Sequence, residues 1–366
     1  KGHDSLEKLL AKHNIEMHQG YIEGNRERPV PPELHELRCL TGGEMPPFEL
    51  TVDGLPPFTE EFLQWPRSPA IYRGPLLLCR SALHGNRIVA AYCNDDVVYS
   101  RSQHGASFAT GDRSFAFYLN GVLNSSLGTY LTFLTCTHWG VEKQELLPND
   151  ALRLPIPDPA GADRKIVDKL LNVERELREA ARAGHHENAR VARLDELVFQ
   201  LYDLEPFERV IVEDMVNTTI DFQRKHEASD AVQPASVQDC QAFAEHLMAV
   251  IQPFFDTLKQ RRMLAEILDV DAPLRVARFE IVPWSANGRS AVVVRQAPEF
   301  DNVLGEIADS LDEPLSFDIR TRRHLRVYAG DAFYVIKPSQ RRFWTRSAGL
   351  ADGDAVMKDL LEQGAK

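Results

Sequence analysis

Between Leu119 and Pro157 the chain reads LNGVLNSSLGTYLTFLTCTHWGVEKQELLPNDALRLPIP. Leu119, Val122, Leu123, Leu127, Tyr130, Leu131 and Leu134 recur at helical spacing, so Phe115 to Phe133 predicts one apolar helix, under way by about Tyr118. The turn Thr137-His138-Trp139-Gly140 ends that period. The chain is then expected to return to a sheet over Val141–Leu147 and Ala151–Ile156, closing on Leu154-Pro155-Ile156-Pro157. An apolar helix of this kind needs a sheet to bury it. Strands are available upstream at Pro75–Cys79, Arg87–Tyr92 and Val97–Ser100, with Ala82–Asn86 and Asn94-Asp95-Asp96 as the turns. These elements predict a mixed, mainly antiparallel α/β domain over residues 66–160.

The flanking segments read differently. Residues 1–65 hold a short helix (Ser5–Asn14), a strand pair around Gly20 and Gly24, and a Gly/Pro-rich lead-in with one strand at Glu49–Val52. From Asp163 the pattern changes to amphipathic helices: Asp163 to about Ala183, Glu187–Tyr202 and Pro206–Arg224, the first two joined at Gly184-His185-His186. These make a helical spacer over 161–228. The polar stretch His226–Ala235 marks an expected boundary. Residues 236–366 then predict a small α+β domain: helix Val237–Asp269, strands Leu274–Pro283 and Ala291–Gln296, helix Glu299–Leu311, strands Leu315–Ile319, Leu325–Tyr328 and Ala332–Lys337, and a closing helix Asp352–Gln363. The expected fold class is therefore α+β: a mixed, mainly antiparallel sheet with helices, an antiparallel helical spacer, and a small α+β C-terminal domain.

Composition excludes several classes. With 43% hydrophobic and 26% charged residues the chain is that of a globular protein. No apolar run approaches the roughly 18 residues of a membrane span, and no basic-then-apolar leader is present. Cys39, Cys79, Cys93, Cys136 and Cys240 are widely spaced, with no Cys-x-x-Cys pair, which argues against a zinc knuckle or a disulfide framework and for reduced thiols in a cytoplasmic setting. Asp95-Asp96 reads as a turn, not a magnesium-binding acid cluster, and His185-His186 as a solvated hairpin. No phosphate-cradling glycine loop and no nucleophile elbow occur.

The LNS of Leu123-Asn124-Ser125 within an apolar helix, followed by the Leu-Pro-Ile-Pro strand, resembles the C-terminal target-recognition (specificity) region of adenine-specific, amino-group DNA methyltransferases of restriction-modification and phage-defence systems. Leu194–Leu204 (LDELVFQLYDL) is similar to the spacer helices of specificity subunits, and Tyr72-Arg73-Gly74 to the entry of the recognition sheet. The resemblance implies a non-catalytic part that contacts double-stranded DNA, with a methyltransferase catalytic domain or other defence-system subunits as partners and no membrane. S-adenosylmethionine would belong only to that catalytic domain. The chain opens on Lys1 instead of Met, as expected of a segment of a longer protein. Met45-Pro46-Pro47-Phe48 and Leu55-Pro56-Pro57-Phe58 lack the amide or carboxylate that would hold a flipped adenine, so they are expected to pack Phe48 and Phe58 into a core.

The net charge of −12 weighs against a phosphate-binding surface, but its distribution does not. Between Pro66 and Arg153 eight basic residues face six acidic ones; from Ser316 to Ser347 eight face two. The expected DNA contacts are Arg73; Arg80, His84, Asn86 and Arg87 on one loop; Arg101, Ser102, Gln103 and His104 on a second; and His138, Trp139 and Lys143 on a third. Asn124 and Ser125 are expected to hydrogen-bond inside the domain. The run around Lys337, Arg341, Arg342, Trp344 and Arg346 interleaves basic and aromatic groups. It suits nucleic acid, an acidic partner, or aromatics plugging a core beneath outward arginines. The rival to a DNA reader is a module that docks subunits of a defence complex.

Overall fold

The computed structural model describes residues 2–364 apart from 26, 43–44, 138, 140–145, 186, 259–260, 270–272, 284–290, 297–304, 306–308 and 310–324. It is an α+β protein whose chain divides into two compact units, Lys1–Glu205 and Pro206–Lys366.

The first unit is built on strands β1 (Met17–Gln19), β2 (Phe48–Leu50), β3 (Leu76–Arg80), β4 (Ala90–Cys93) and β5 (Gln103–Ser107), side by side in the order β1-β5-β3-β4-β2. All neighbours are antiparallel except β2, which joins β4 in parallel. Successive side chains of a strand face opposite ways. Leu76 and Leu78 of β3 therefore enter a core with Tyr72, Tyr99 and Leu40, while Leu77 and Cys79 point to the other face; all four are buried. A sheet covered on both faces reads as an unbroken apolar run, which is why LLLC does not alternate.

The apolar stretch of the sequence forms two helices where one was expected: α1 (Arg113–Asn124) and α2 (Ser126–Thr135). Ser125 breaks them apart. Its backbone is extended (φ −74°, ψ 162°), and its hydroxyl accepts the Gly128 amide at 3.0 Å, an N-cap for α2. The helices meet so closely here that a Cβ on Gly128 would lie 2.5 Å from the Val122 carbonyl oxygen. Leu134, expected on the apolar face, is exposed instead. The return to the sheet is also smaller than expected. Residues 141–145 lie outside the described residues, and Pro148–Leu152 is a short helix begun by a proline. Leu-Pro-Ile-Pro contributes only Pro155–Ile156, paired with Asp4–Ser5 away from the main sheet. Prolines 155 and 157 lack amide donors, which leaves no room for a long ladder.

The helical hairpin forms as expected from α3 (Arg164–Arg182), N-capped by Asp163, and α4 (Asn188–Leu201), with Gly184 at φ +70° just past the end of α3.

In the second unit, helix α5 (Val237–Leu258) precedes a sheet of β6 (Arg261–Asp269), β7 (Leu274–Pro283), β8 (Ala291–Gln296), β9 (Leu325–Ala329) and β10 (Ala332–Pro338), in the order β8-β6-β7-β10-β9, followed by helix α6 (Arg346–Gly364). Phe243, Leu247, Ile251, Phe279, Phe333 and Trp344 fill the core between helices and sheet. The expected helix over Val237–Asp269 stops at Leu258. Met263, Ala265 and Ile267 then alternate into the core as β6, because pairing with β7 overrides a local helical preference. The hairpin β9-β10 turns at Gly330-Asp331, with Gly330 at φ +59°. The expected strand Leu315–Ile319 lies outside the described residues, as does nearly all of the expected helix Glu299–Leu311. Pro206–Arg224 forms an α-helix (Pro206–Asp214), a π-helical stretch (Met215–Ile220) and a last helical turn (Asp221–Lys225), and the polar stretch after it lies within this unit.

Candidate nucleic-acid interface

One end of the first sheet collects the polar loops that the sequence singles out. Strands β3 and β5 run antiparallel with Arg80 opposite Gln103, so the residues after β3 and those before β5 emerge side by side. The Ser81 amide and hydroxyl both donate to the Ser102 carbonyl, at 2.9 and 2.8 Å. The Gln103 amide closes the Ser100–Gln103 turn on the Ser100 carbonyl at 3.0 Å. His84 and Arg87 exchange backbone hydrogen bonds of 2.9 and 3.2 Å around Gly85 (φ +58°). Arg80, exposed His84, exposed Arg101 and Ser102 thus share one rim. Neither Arg80 nor Arg101 has a side-chain partner among the described residues. Arg101 and Ser102 line a cleft of about 530 Å³ together with Tyr21, Glu23, Gln64 and Ser100. Its wall contains Gly24 and Gly42, where a Cβ would lie 2.5 Å from Gln64 Oε1 and 2.9 Å from Ser102 Oγ respectively. Chemically the rim offers two guanidinium forks, a side-chain amide and hydroxyls, the groups that meet phosphates and base edges.

The other expected contacts are placed elsewhere. Arg87 is not a free cation: its two terminal nitrogens donate to the two carboxylate oxygens of Asp195 at 2.9 and 2.6 Å. Gln103 and His104 are fully buried; Gln103 accepts from the Ser100 hydroxyl (3.1 Å), and His104 Nε2 lies 2.9 Å from the Leu146 carbonyl oxygen. As successive residues of β5 they face opposite sides of the sheet, and both are buried because the sheet is covered on both faces. Trp139 is buried against Phe133, with ring centroids 5.6 Å apart, since an indole gains more by leaving water than by lying on a rim. Arg73 is exposed but paired to Asp96 at 2.7 Å, and Asn86 is half-buried. His138 and Lys143 lie outside the described residues.

The latch at Arg87 ties together the two stretches that carry the family resemblance. Asp195, from LDELVFQLYDL on α4, also accepts the Ser126 amide at 2.7 Å, at the start of α2. Asn124 on α1 satisfies both backbone groups of Ala90: its Oδ1 accepts the Ala90 amide at 3.1 Å and its Nδ2 donates to the Ala90 carbonyl at 2.8 Å. The Leu-Asn-Ser element and the spacer helix therefore clamp the edge of the sheet. Asn120 extends the clamp by donating to Glu174 of α3 (2.7 Å) and to the Phe48 carbonyl (2.9 Å). Glu174 is fully buried beside Arg178, which also reaches Glu49 and lies 3.8 Å over the Phe117 ring. Burial pushes the Glu174 carboxyl up to about 7, against the opposing pull of Arg178 and Asn120. Buried thiols Cys79 and Cys93 are pushed up to about 12, which leaves them un-ionised and unreactive.

In the second unit the basic-aromatic run is largely consumed by the fold. Trp344 is buried, donating to the Pro338 carbonyl at 2.9 Å and lying edge-on to Phe243. Lys337 is buried against Asp352 (2.5 Å) and over the Phe243 ring; burial pushes its ammonium below the ordinary lysine range. Arg346 pairs with Glu213 and Asp214, each at 2.9 Å, and Arg341 with Asp239 at 3.2 Å. Of the four cations, Arg342 alone lacks a carboxylate among the described residues.

No family model matches the chain, and no curated protein does. Among solved structures, part of the chain is similar to the type IIL restriction-modification enzyme MmeI, determined in complex with DNA, at 13% identity and a TM-score of 0.29, covering 41% of this chain and 21% of that one. A second similarity is to a structure describing complex assembly and conformational transition of a type I restriction-modification system, at 12% identity and a TM-score of 0.27, covering 58% of this chain and 45% of that one. The chain thus spans less than half the length of either.

Two residues of functional interest escape a reading of the sequence. Gln64 sits in a Gly/Pro-rich lead-in with nothing to mark it, and only the fold brings it to Arg101. Asp195 lies inside a recognisable motif, but nothing in the motif names Arg87 or Ser126 as its partners.

Proposed function

We propose that the first unit is the non-catalytic DNA target-recognition part of an adenine methyltransferase-like restriction-modification or phage-defence protein. The observation that carries this reading is the rim that Arg80 and Arg101 share, both without a carboxylate partner among the described residues, with Arg101 lining a cleft beside Ser102, Gln64 and Glu23. Arginine forks without a counter-charge are suited to phosphate oxygens or guanine edges, and a glutamine amide to adenine. In this reading S-adenosylmethionine chemistry would fall to a separate catalytic domain, and the Pro-Pro-Phe segments serve to place Phe48 and Phe58 in the core.

Fluorescence anisotropy with a random-sequence duplex at low and physiological salt tests this. Arg80→Ala with Arg101→Ala should weaken binding and reduce the slope of log affinity against log salt by about 2, one per phosphate contact, without altering thermal stability. Wild-type protein that binds no duplex even at low salt would sink the reading. It would favour the subunit-docking alternative, which the net charge of −12 and the acid-paired cations of the second unit suit.

A further inference from the structure

The second unit contains a cleft of about 640 Å³ that none of the preceding roles uses. Phe222 and Phe343 stand on its wall with Arg342 between their contacts, the guanidinium carbon 4.4 Å from one ring centroid and 4.9 Å from the other. Gln340 Oε1 accepts from Arg342 Nε at 3.0 Å, so two aromatic faces and one hydrogen bond hold the guanidinium plane. Its two terminal nitrogens have no protein partner among the described residues. Thr218 and Thr219 add hydroxyls that likewise have no partner among the described residues, and Thr345 and Ser347 add two more, 3.1 Å apart. Thr218 and Thr219 lie on the π-helical stretch Met215–Ile220, a local departure from α-helical geometry that often marks a functional surface. Among the described residues one acid lines the cleft, Asp214, and it is already paired: it accepts from Arg346 at 2.9 Å and from the Ser347 amide at 2.7 Å.

A guanidinium held in one plane loses little freedom when it binds, and its fork fits an oxyanion through two parallel hydrogen bonds. A planar carboxylate would be satisfied by the fork alone. A tetrahedral anion has oxygens left over for hydroxyls lining the same cleft, which the threonines supply. We infer that the second unit binds a phosphate group in this cleft, on Arg342 with hydroxyl support from Thr218 and Thr219. The phosphate belongs either to a small phosphorylated molecule such as a nucleotide or to a nucleic-acid backbone. This site is independent of the rim on the first unit.

Isothermal titration calorimetry of the whole chain tests it with three probes: inorganic phosphate, adenosine monophosphate and a short random-sequence duplex. Saturable binding of phosphate or the nucleotide is expected. It should weaken about tenfold or more in Arg342→Ala and measurably in Arg342→Lys, which keeps the charge and loses the fork. Arg341→Ala, an exposed neighbour paired to Asp239, should change it less than about twofold. Thr218→Val with Thr219→Val provides a second variant that leaves the stacked arginine in place, and it should also weaken binding. A nucleotide that binds tighter than inorganic phosphate identifies a small-molecule site. Duplex binding that survives Arg80→Ala/Arg101→Ala and disappears on adding Arg342→Ala identifies a backbone site. Absence of saturable binding for all three probes, or binding equal in wild type and Arg342→Ala, overturns the proposal without touching the rim of the first unit.

Discussion

Residues 66–153 and 316–347 look alike as strings: each carries an excess of arginine in an otherwise acidic chain, and each interleaves it with aromatic and polar groups. The folded protein uses the two sets differently. In the first, Arg87 is committed to the Asp195 latch, while Arg80 and Arg101 remain without carboxylates at the end of the sheet. Among the described residues of the second, Arg326, Lys337, Arg341 and Arg346 each meet an acid from another element, and Arg342 is left, held by aromatic faces. A local charge balance counts cations. How many are available to a ligand depends on which acids the tertiary structure delivers to them, and those acids lie up to 133 residues away in sequence.

The comparison is most directly broken through Arg87. It looks like Arg80 and Arg101 in sequence, yet Arg87→Ala should cost about 3 kcal/mol in urea denaturation, because Asp195 would be left with an unpaired, largely buried charge. Added to Arg80→Ala/Arg101→Ala, it should leave the salt slope of DNA binding where the pair put it. An unchanged unfolding midpoint would return Arg87 to the surface set.

Glu174 gives a pH test of the same clamp. Its folded-state carboxyl titrates near 7, above the ordinary value of 4.5, so between those limits the native state holds a proton that the unfolded chain has released. The resulting stability is fully present below about pH 4.5 and is lost as pH rises toward 7. The change is on the order of 3 kcal/mol. Glu174→Gln, which cannot ionise, should flatten this part of the stability profile. A wild-type curve that rises across the window would show that Arg178 and Asn120 outweigh burial.

The smallest effect is expected where the pairing is exposed. Arg341→Ala removes an ion pair to Asp239 on a half-exposed side chain and should shift stability by less than about 0.5 kcal/mol. A loss comparable to that of Arg87→Ala would erase the distinction between a latch and a surface pair.

Parts of both units were legible in the sequence. The apolar run of β3, the turns after it, the α3–α4 hairpin and the β9–β10 turn follow from local patterns that physics reads over a few residues. The errors have a common cause. Ser125 divides an apolar helix because a serine hydroxyl can cap a new one, which the helical period does not register. Arg261–Asp269 became a strand because β7 was there to pair with it. His104, Gln103 and Trp139 look like contact residues by type and are buried by position.

By itself, then, the sequence determined the α+β class, those elements whose pattern is local, and a short set of cations from which any interface must be drawn. The tertiary structure alone decided which of those cations are spent. Hydrophobic periodicity and capping act between near neighbours in the chain. Desolvation and charge pairing act between whatever the fold brings within a few ångströms, as with Arg87 and Asp195, 108 residues apart.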